Sequence, residues 1–239
     1  MPDPITRIEL WHVSIPLPAT FYPSWIPNFP MTQNNCTLMR LTTKSGLQGW
    51  SAGMAMEDER AGLGSLLGPY LLEADALDID TVAQRLREAG YLGWRNPWIE
   101  AAFWDLKAKA AGKPLYQLLQ EEDAQPAERV TEVPVYLSMG SKKSGGELRS
   151  YLDEAMRRGV AAVKIRVHGT EAEDEAAVRE ARAHVGDDLR LMVDANQGWR
   201  VALLGGAPLW DLERATRFGH VCDELGYTWI EEPLAMDEY

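Results

Sequence analysis

Hydrophobic and polar positions in the second half of the chain change repeatedly between a strand-like and a helix-like pattern. Short apolar runs predict strands at 133–138, 161–167, 189–194 and 227–231. Apolar positions at helical spacing predict the intervening helices at 146–158, 173–184 and 211–225. Such alternation indicates parallel strands joined by helical crossovers. We therefore predict strands one to four of a (β/α)₈ barrel over residues 130–239.

The first half of the chain has a different pattern. Residues 6–17 alternate in part and predict a strand, and two further apolar runs flank Thr43-Lys44-Ser45-Gly46, which indicates a hairpin. Residues 18–34 are rich in proline and aromatic residues and predict a long irregular loop. Helices are predicted at 81–89 and 98–111. We therefore expect an α+β domain over residues 1–129.

The two helices of this domain carry recognisable end signals. Asn96 and Pro97 fit the N-cap and first turn of the second helix, and Gly112 fits the position just past its end. Asp80 is the expected N-cap of the first helix, and Gly90 follows it. These signals make both helices firm expectations.

Composition limits the partners and the compartment. The 239 residues are 46% hydrophobic and carry a formal net charge of -12, with a sequence pI of about 4.8. Nucleic acids and anionic membranes require a basic footprint, so we exclude both as partners. The two cysteines, Cys36 and Cys222, have no metal-type or disulfide-type spacing. We see no targeting or membrane-spanning segment and expect a cytoplasmic protein.

A basic pair lies on the second strand of the predicted barrel. Lys164 and Arg166 are two residues apart and therefore point to the same face. That face could simply be exposed to solvent. A lysine becomes a general base when its pKa is lowered, whereas the arginine guanidinium stays protonated. His168 has the same parity, and a structural role is the alternative for it.

The next two strands end in acidic residues. Asp194 closes one strand and Glu231 closes the following one, with Glu232 and Pro233 after it. Each could be a turn or capping acid. Their recurrence at successive strand ends favours a shared site, because barrel strands open onto one face at their C-terminal ends. Carboxylates without His or Cys suit Mg²⁺.

These segments resemble the mandelate racemase/muconate lactonizing enzyme family of the enolase superfamily. The resemblance extends over essentially the whole chain. It is carried by IEAAFWDL at 99–106 with GKPL at 112–115, and then by VKIRV at 163–167, MVDANQ at 192–197 and WIEEP at 229–233.

The resemblance implies roles for individual residues. Asp194 and Glu231 would be the first two ligands of an essential Mg²⁺, and Lys164 would contact the substrate carboxylate. Arg166 stands where the family usually has a second lysine that acts as a base, which is a departure from the pattern. Residues 18–30 would form a lid over the barrel mouth. Further candidates for contact with the substrate or with its surroundings are Asn196, Glu232, His168 and Trp25.

The resemblance also implies an activity. Family enzymes use Mg²⁺ to remove the proton α to a carboxylate of a small acid, and they generally form homo-oligomers. Because Arg166 is unsuited as a second base, we expect acid-sugar dehydration, with racemisation or cycloisomerisation as alternatives and a non-catalytic fragment or remnant as another. A complete barrel takes about 250 residues. We therefore expect strands five to eight, with the third metal ligand and a further base, to be missing here, and this chain to be inactive alone.

Overall fold

The computed structural model describes residues 2–25, 28–54, 63–91, 97–122, 132–198 and 209–236. The chain divides into two compact units, one formed by Met1–Pro16 with Gln33–Arg129 and the other by Leu17–Thr32 with Val130–Tyr239. The longer segment of the second unit begins at Val130. The short segment Leu17–Thr32 belongs to the second unit, which the sequence did not indicate.

The N-terminal sheet has the strand order β1-β2-β3, with β1 at Ile5–Phe21, β2 at Met31–Thr43 and β3 at Gln48–Met54. The predicted hairpin is confirmed, because β2 and β3 pair antiparallel from Cys36 opposite Met54 to Thr42 opposite Gln48. Gly46 has a φ of 90°, which only glycine adopts readily.

The prediction of an irregular loop over residues 18–34 is wrong at both ends. β1 continues to Phe21 and β2 already begins at Met31. The proline-rich sequence is compatible with a strand here because β1 lies at the edge of its sheet. A proline at a sheet edge need not interrupt the hydrogen bonds to the neighbouring strand.

Four helices follow in this unit: α1 at Gly64–Leu71, α2 at Ile79–Tyr91, α3 at Pro97–Ala110 and α4 at Leu115–Glu122. α3 packs on β3, α2 and α4 pack on α3, and α1 packs on α2. Both predicted helices are confirmed, and Gly112 has a φ of 64°, while Asn96 lies outside the described residues. The N-cap prediction for Asp80 is wrong, because α2 begins earlier. Asp78 instead accepts the Thr81 backbone N–H at 3.1 Å.

Glycine in β3 permits close packing of α3. A Cβ atom on Gly49 would lie 2.2 Å from the Ala102 carbonyl oxygen of α3. The α3 side chains Ile99, Phe103 and Leu106 are fully buried in the same core. The helical spacing of these apolar residues therefore determines which face of α3 packs on the sheet.

The second unit contains a four-stranded sheet in the order β4-β5-β6-β7. Its elements are β4 at Leu137–Ser138, α5 at Gly145–Arg157, β5 at Ala162–Arg166, α6 at Glu171–Val185, β6 at Arg190–Asp194, α7 at Leu212–Glu224 and β7 at Ile230–Glu231. Every strand pair is parallel, so the predicted alternation is confirmed. The outer strands are shorter than predicted. The Val133 and Val135 side chains, which suggested a longer β4, are 73% and 67% exposed and lie outside the strand.

One face of this sheet forms the core with the helices. The β5 and β6 residues Val163, Ile165, Leu191 and Val193 are buried against apolar residues of α5, α6 and α7, among them Leu152, Val178 and Phe218. Because side chains alternate between faces along a strand, the residues between them point to the other face. Among the helices that the structure describes, none combines the length and apolar character needed to cross a bilayer.

Candidate active site

The strand register brings the predicted site residues onto one face. Arg166 of β5 is opposite Asp194 of β6, and Asp194 is opposite Glu231 of β7. Residues opposite each other in paired strands share a face, and so do residues two apart on one strand. Lys164, Arg166, Asp194 and Glu231 therefore lie side by side on the face that the helices leave uncovered.

Lys164 joins the two acids. Its Nζ atom donates to Glu231 Oε2 at 2.6 Å and to Asp194 Oδ2 at 3.2 Å. The residue is 5% exposed, so this ammonium group is held inside the cluster. One cation thus bridges carboxylates from two neighbouring strands.

The Arg166 guanidinium is held by hydrogen bonds to several neighbouring protein groups. Its Nε donates to the Met139 carbonyl oxygen at 2.5 Å, and its Nη1 donates to Asn196 Oδ1 at 3.0 Å and to Asp194 Oδ2. Nη2 lies 3.5 Å from Ser138 Oγ. The guanidinium therefore ties together the C-terminal ends of β4, β5 and β6.

The backbone after β6 fixes Asp194. Asn196 has a φ of 50°, a left-handed conformation that asparagine tolerates better than most residues, and its N–H donates to Asp194 Oδ1 at 2.9 Å. Both carboxylate oxygens of Asp194 are therefore engaged. Asn196 thus lies beside Asp194, and its part in a metal or substrate site stays a prediction.

Gln197 was not among the predicted site residues, although it belongs to the same sequence motif. It is 1% exposed, its Nε2 donates to the Ala195 carbonyl at 2.7 Å, and its Oε1 accepts the Trp210 N–H at 3.0 Å. Its backbone N–H donates to the Glu232 carbonyl at 3.0 Å. A buried amide with these partners holds the loop after β6 in place.

An aromatic pair on the same face was not among the predicted site residues. The rings of Tyr136 and Trp229 meet edge to face with centroids 5.7 Å apart, and the Tyr136 centroid lies 6.0 Å from Lys164 Nζ. The shared parity of the two residues with Ser138 and Glu231 was the signal that could have identified them.

The remaining predicted residues have no recorded contact with the cluster within the described part of the chain. Trp25 packs edge to face on Phe21 at 6.0 Å, and its neighbour Ser24 donates two hydrogen bonds to the Gly140 carbonyl in the loop after β4. His168 is half-buried in the loop after β5. Glu232 has a φ of 49°, and its side chain lies beside Gly198.

The shifts in pKa favour the charged forms of Lys164 and Glu231, whereas burial works against the charge of Asp194. Burial acts to lower the pKa of Lys164, but its hydrogen bonds to Glu231 and Asp194 outweigh burial and raise this pKa above its usual value. Burial acts to raise the pKa of Glu231, but Lys164 holds this pKa below its usual range. Burial raises the pKa of Asp194, opposed by the charge of Arg166. Lys164 is thus a stable cation in this arrangement.

The carboxylate oxygens of this cluster are the type of ligand that a hard divalent cation binds. Asp194 and Glu231 offer carboxylate oxygens close enough to share one cationic group, as Lys164 demonstrates. Such oxygens are the ligands that Mg²⁺ prefers. Within the described residues there is no cluster of three or more His, Cys, Asp or Glu side chains placed to hold a metal. The described part of the chain therefore offers two candidate carboxylate ligands, those of Asp194 and Glu231.

Family comparisons agree with this architecture. Residues 12–120 match the family model for the mandelate racemase / muconate lactonizing enzyme N-terminal domain, and residues 147–239 match the model described as enolase C-terminal domain-like. The chain belongs to the mandelate racemase/muconate lactonizing enzyme family of the enolase superfamily, as the sequence motifs indicated.

Curated relatives include lyases and isomerases. L-talarate/galactarate dehydratase from Salmonella typhimurium is 30% identical over 225 residues, which are 86% of this chain and 50% of that protein. 3,6-Anhydro-alpha-L-galactonate cycloisomerase from Streptomyces coelicolor is 32% identical over 177 residues, which are 70% of this chain and 44% of that protein. The chain thus spans about half the length of these curated relatives.

Solved structures show the same fold. A racemase from Streptomyces coelicolor A3(2) with bound magnesium superposes with a TM-score of 0.80 at 25% identity, covering 98% of this chain and 64% of that one. L-talarate/galactarate dehydratase from Salmonella typhimurium LT2, liganded with Mg and L-lyxarohydroxamate, has a TM-score of 0.75 at 26% identity, covering 98% and 59%. Both lie within the family that the sequence indicates.

Proposed function

We propose that this chain provides part of a Mg²⁺-dependent site that binds the carboxylate end of a sugar acid for abstraction of its α-proton, leading to dehydration. The observation that carries the proposal is the convergence of Lys164, Arg166, Asp194 and Glu231 on one face at the C-terminal strand ends. Active sites of (β/α) barrels are built at these ends.

Each residue has a role in this proposal. Asp194 and Glu231 would hold Mg²⁺, and Arg166 would keep Asp194 in position through its contacts with Met139 and Asn196. When bound, Mg²⁺ stabilises the negative charge that develops on the substrate carboxylate as the α-proton leaves. Lys164, as a cation, would contact the same carboxylate and add to this stabilisation.

Dehydration is favoured over racemisation by the state of Arg166. Racemisation needs a base on each face of the α-carbon, and a guanidinium is protonated at any ordinary pH. The contacts of Arg166 with the chain also leave it poorly placed to take up a proton. The racemase that superposes on this fold, and the cycloisomerase relative, keep those reactions as second candidates.

Calorimetric titration with galactarate tests the site. We expect binding that requires Mg²⁺ and is lost in Lys164→Met, while Lys113→Met, which removes an exposed lysine paired with Glu121, leaves it unchanged. Galactarate binding that is equally strong with and without Mg²⁺, or that is unchanged in Lys164→Met, would overturn the proposal.

The chemistry is tested by ¹H NMR in D₂O, where abstraction of the α-proton removes its signal. The described residues supply two carboxylate ligands and one lysine on this face. We therefore expect the chain alone to turn over galactarate far more slowly than the Salmonella relative does. Turnover equal to that of the relative would show that these groups suffice.

A further inference from the structure

The position of Lys164 bears on how the proposed site takes up its metal. Nζ lies between Asp194 Oδ2 and Glu231 Oε2, at 3.2 Å and 2.6 Å. Mg²⁺ binds carboxylate oxygens at about 2.0–2.1 Å. An ion that used both of these oxygens would need the space between them, which the ammonium group fills. The lysine and the ion therefore compete for the same two atoms.

The two cations of the cluster differ in how firmly they are held. Arg166 has contacts with the Met139 carbonyl and the Asn196 amide in addition to Asp194. Lys164 Nζ has hydrogen bonds with the two carboxylates, and the ring of Tyr136 lies 6.0 Å away. Arg166 shares Asp194 Oδ2 with Lys164, but it keeps its hydrogen bonds to Met139 and Asn196 when that oxygen binds another cation. Lys164 instead gives up its hydrogen bonds to both carboxylates.

Binding of a divalent cation to the two carboxylates changes the net charge of the cluster. Two carboxylates and two cationic side chains are formally neutral together. Adding a divalent cation while both side chains remain nearby makes the group positive. A positive, partly buried cluster attracts an acid substrate more strongly than a neutral one.

We propose that Lys164 is a built-in competitor of the metal, which holds Asp194 and Glu231 together and is displaced by the divalent cation to become the contact for the substrate carboxylate. The inference rests on the proposed function, since it takes the two acids as metal ligands. It orders the events, because the lysine becomes available to the acid substrate only after the metal has bound.

Titration of the full 239-residue chain with Mn²⁺, followed by the EPR signal of the free ion, tests the inference. Lys164→Met removes the competing charge while keeping a side chain of similar length. We expect it to bind Mn²⁺ roughly tenfold more tightly, or better, than the unchanged protein. Lys164→Arg keeps the charge and serves as the matched control, with no gain in affinity expected. Equal or weaker binding by Lys164→Met would overturn the inference.

Thermal unfolding provides a second readout in case Lys164→Met folds poorly. Without added metal, this variant should melt at a lower temperature than the unchanged protein, because two neighbouring carboxylates lose their shared cation. Saturating Mn²⁺ should then raise its melting temperature by more than it raises that of the unchanged protein, since tighter binding to the native state stabilises more. A smaller rise would contradict the inference.

Glu231→Gln separates this inference from the proposed function. Loss of Mn²⁺ binding in Glu231→Gln, together with no gain in Lys164→Met, would refute only the competition. Unchanged Mn²⁺ binding in Glu231→Gln would refute the metal site itself and the competition with it. Absence of binding in every chain would contradict both.

Discussion

Two arginines on strands of the two sheets show how a partly buried ion pair differs from a candidate site. Arg40 on β2 donates to Glu9 Oε2 at 2.7 Å, and its guanidinium carbon lies 5.0 Å and 5.3 Å from the rings of Trp11 and Trp50. Arg166 on β5 likewise pairs with an acid on the neighbouring strand. The residue types are the same, but their surroundings are not.

The difference lies in convergence and burial. Arg40 has one carboxylate and two indole faces, and both indoles are exposed, Trp11 at 38% and Trp50 at 40%. Arg166 has polar partners at the C-terminal ends of both neighbouring strands, β4 and β6, and its acid is almost completely buried. Lys164 adjoins Arg166 and pairs with both Asp194 and Glu231. Convergence at the C-terminal ends of parallel strands therefore identifies the candidate site, whereas an Arg–carboxylate contact alone does not.

Removing the two arginines should have very different effects on stability. Arg166→Met leaves Asp194 buried with its charge poorly compensated, and we expect the free energy of unfolding to fall by about 3–5 kcal/mol. The matched change Arg40→Met should cost about 1 kcal/mol, from a partly exposed ion pair and cation–π contacts. Urea denaturation measures both, and equal losses would remove the distinction drawn between the two sheets.

Asp174 is a buried acid outside the proposed metal site, so it tests whether burial of a charged pair alone is enough to bind a metal. Asp174 on α6 is fully buried, accepts the Gly169 N–H at 2.8 Å and pairs with Arg214 at 2.8 Å. We expect Asp174→Asn to cost about 1.5–3 kcal/mol through its charged hydrogen bond, measured by urea denaturation. Mn²⁺ affinity should not change. If Asp174→Asn also lost Mn²⁺ affinity, the convergence of Asp194 and Glu231 at the strand ends would not be what distinguishes the metal site from other buried acids.

Asn196 separates backbone conformation from side-chain contact. Asn196→Gly keeps the left-handed backbone accessible but removes the acceptor of Arg166, so we expect a loss of about 1 kcal/mol. Asn196→Ala should cost more, because alanine is strained at a φ of 50°. Chemical denaturation of the two variants separates the contribution of the side-chain hydrogen bond from that of backbone strain. An alanine variant as stable as the glycine variant would exclude backbone strain.

The cysteines differ in the same way as the arginines do, but with the smallest effect. Cys222 is 2% exposed, and burial raises the pKa of its thiol to about 12, whereas Cys36 is partly exposed. Because the folded pKa is above the unfolded 9.0, this contribution to stability is complete below pH 9 and is lost as pH rises towards 12. At pH 8, mass spectrometry after iodoacetamide treatment should find Cys36 modified and Cys222 unmodified until the protein unfolds. Equal modification of both in the native protein would contradict this.

The sequence predicted most of the second unit because its signals are local. Apolar runs, helical spacing and parity on β5 and β6 were enough to bring Lys164, Arg166 and Asp194 to one face. The identities of their partners were not predictable in this way. The Met139 carbonyl, for example, becomes a partner of Arg166 only through the pairing of β4 with β5.

The errors arose where tertiary position overrides local composition. Residues 18–34 looked irregular because of their prolines, but an edge strand tolerates proline. The apolar residues Val133 and Val135 suggested a strand that pairing supports only from Leu137 onward. The assignment of Leu17–Thr32 to the second unit depends on contacts distant in sequence, such as that of Ser24 with Gly140.

In the proposed site, Asp194 and Glu231 together hold one divalent cation. EPR titration of Mn²⁺ should compare the unchanged protein with Asp194→Asn, Glu231→Gln and the control Glu9→Gln, whose carboxylate pairs with Arg40 in the other sheet. We predict one site in the unchanged protein and in Glu9→Gln, and its loss in both site variants. Binding that persists unchanged in Asp194→Asn and Glu231→Gln would show that these two carboxylates do not hold the metal.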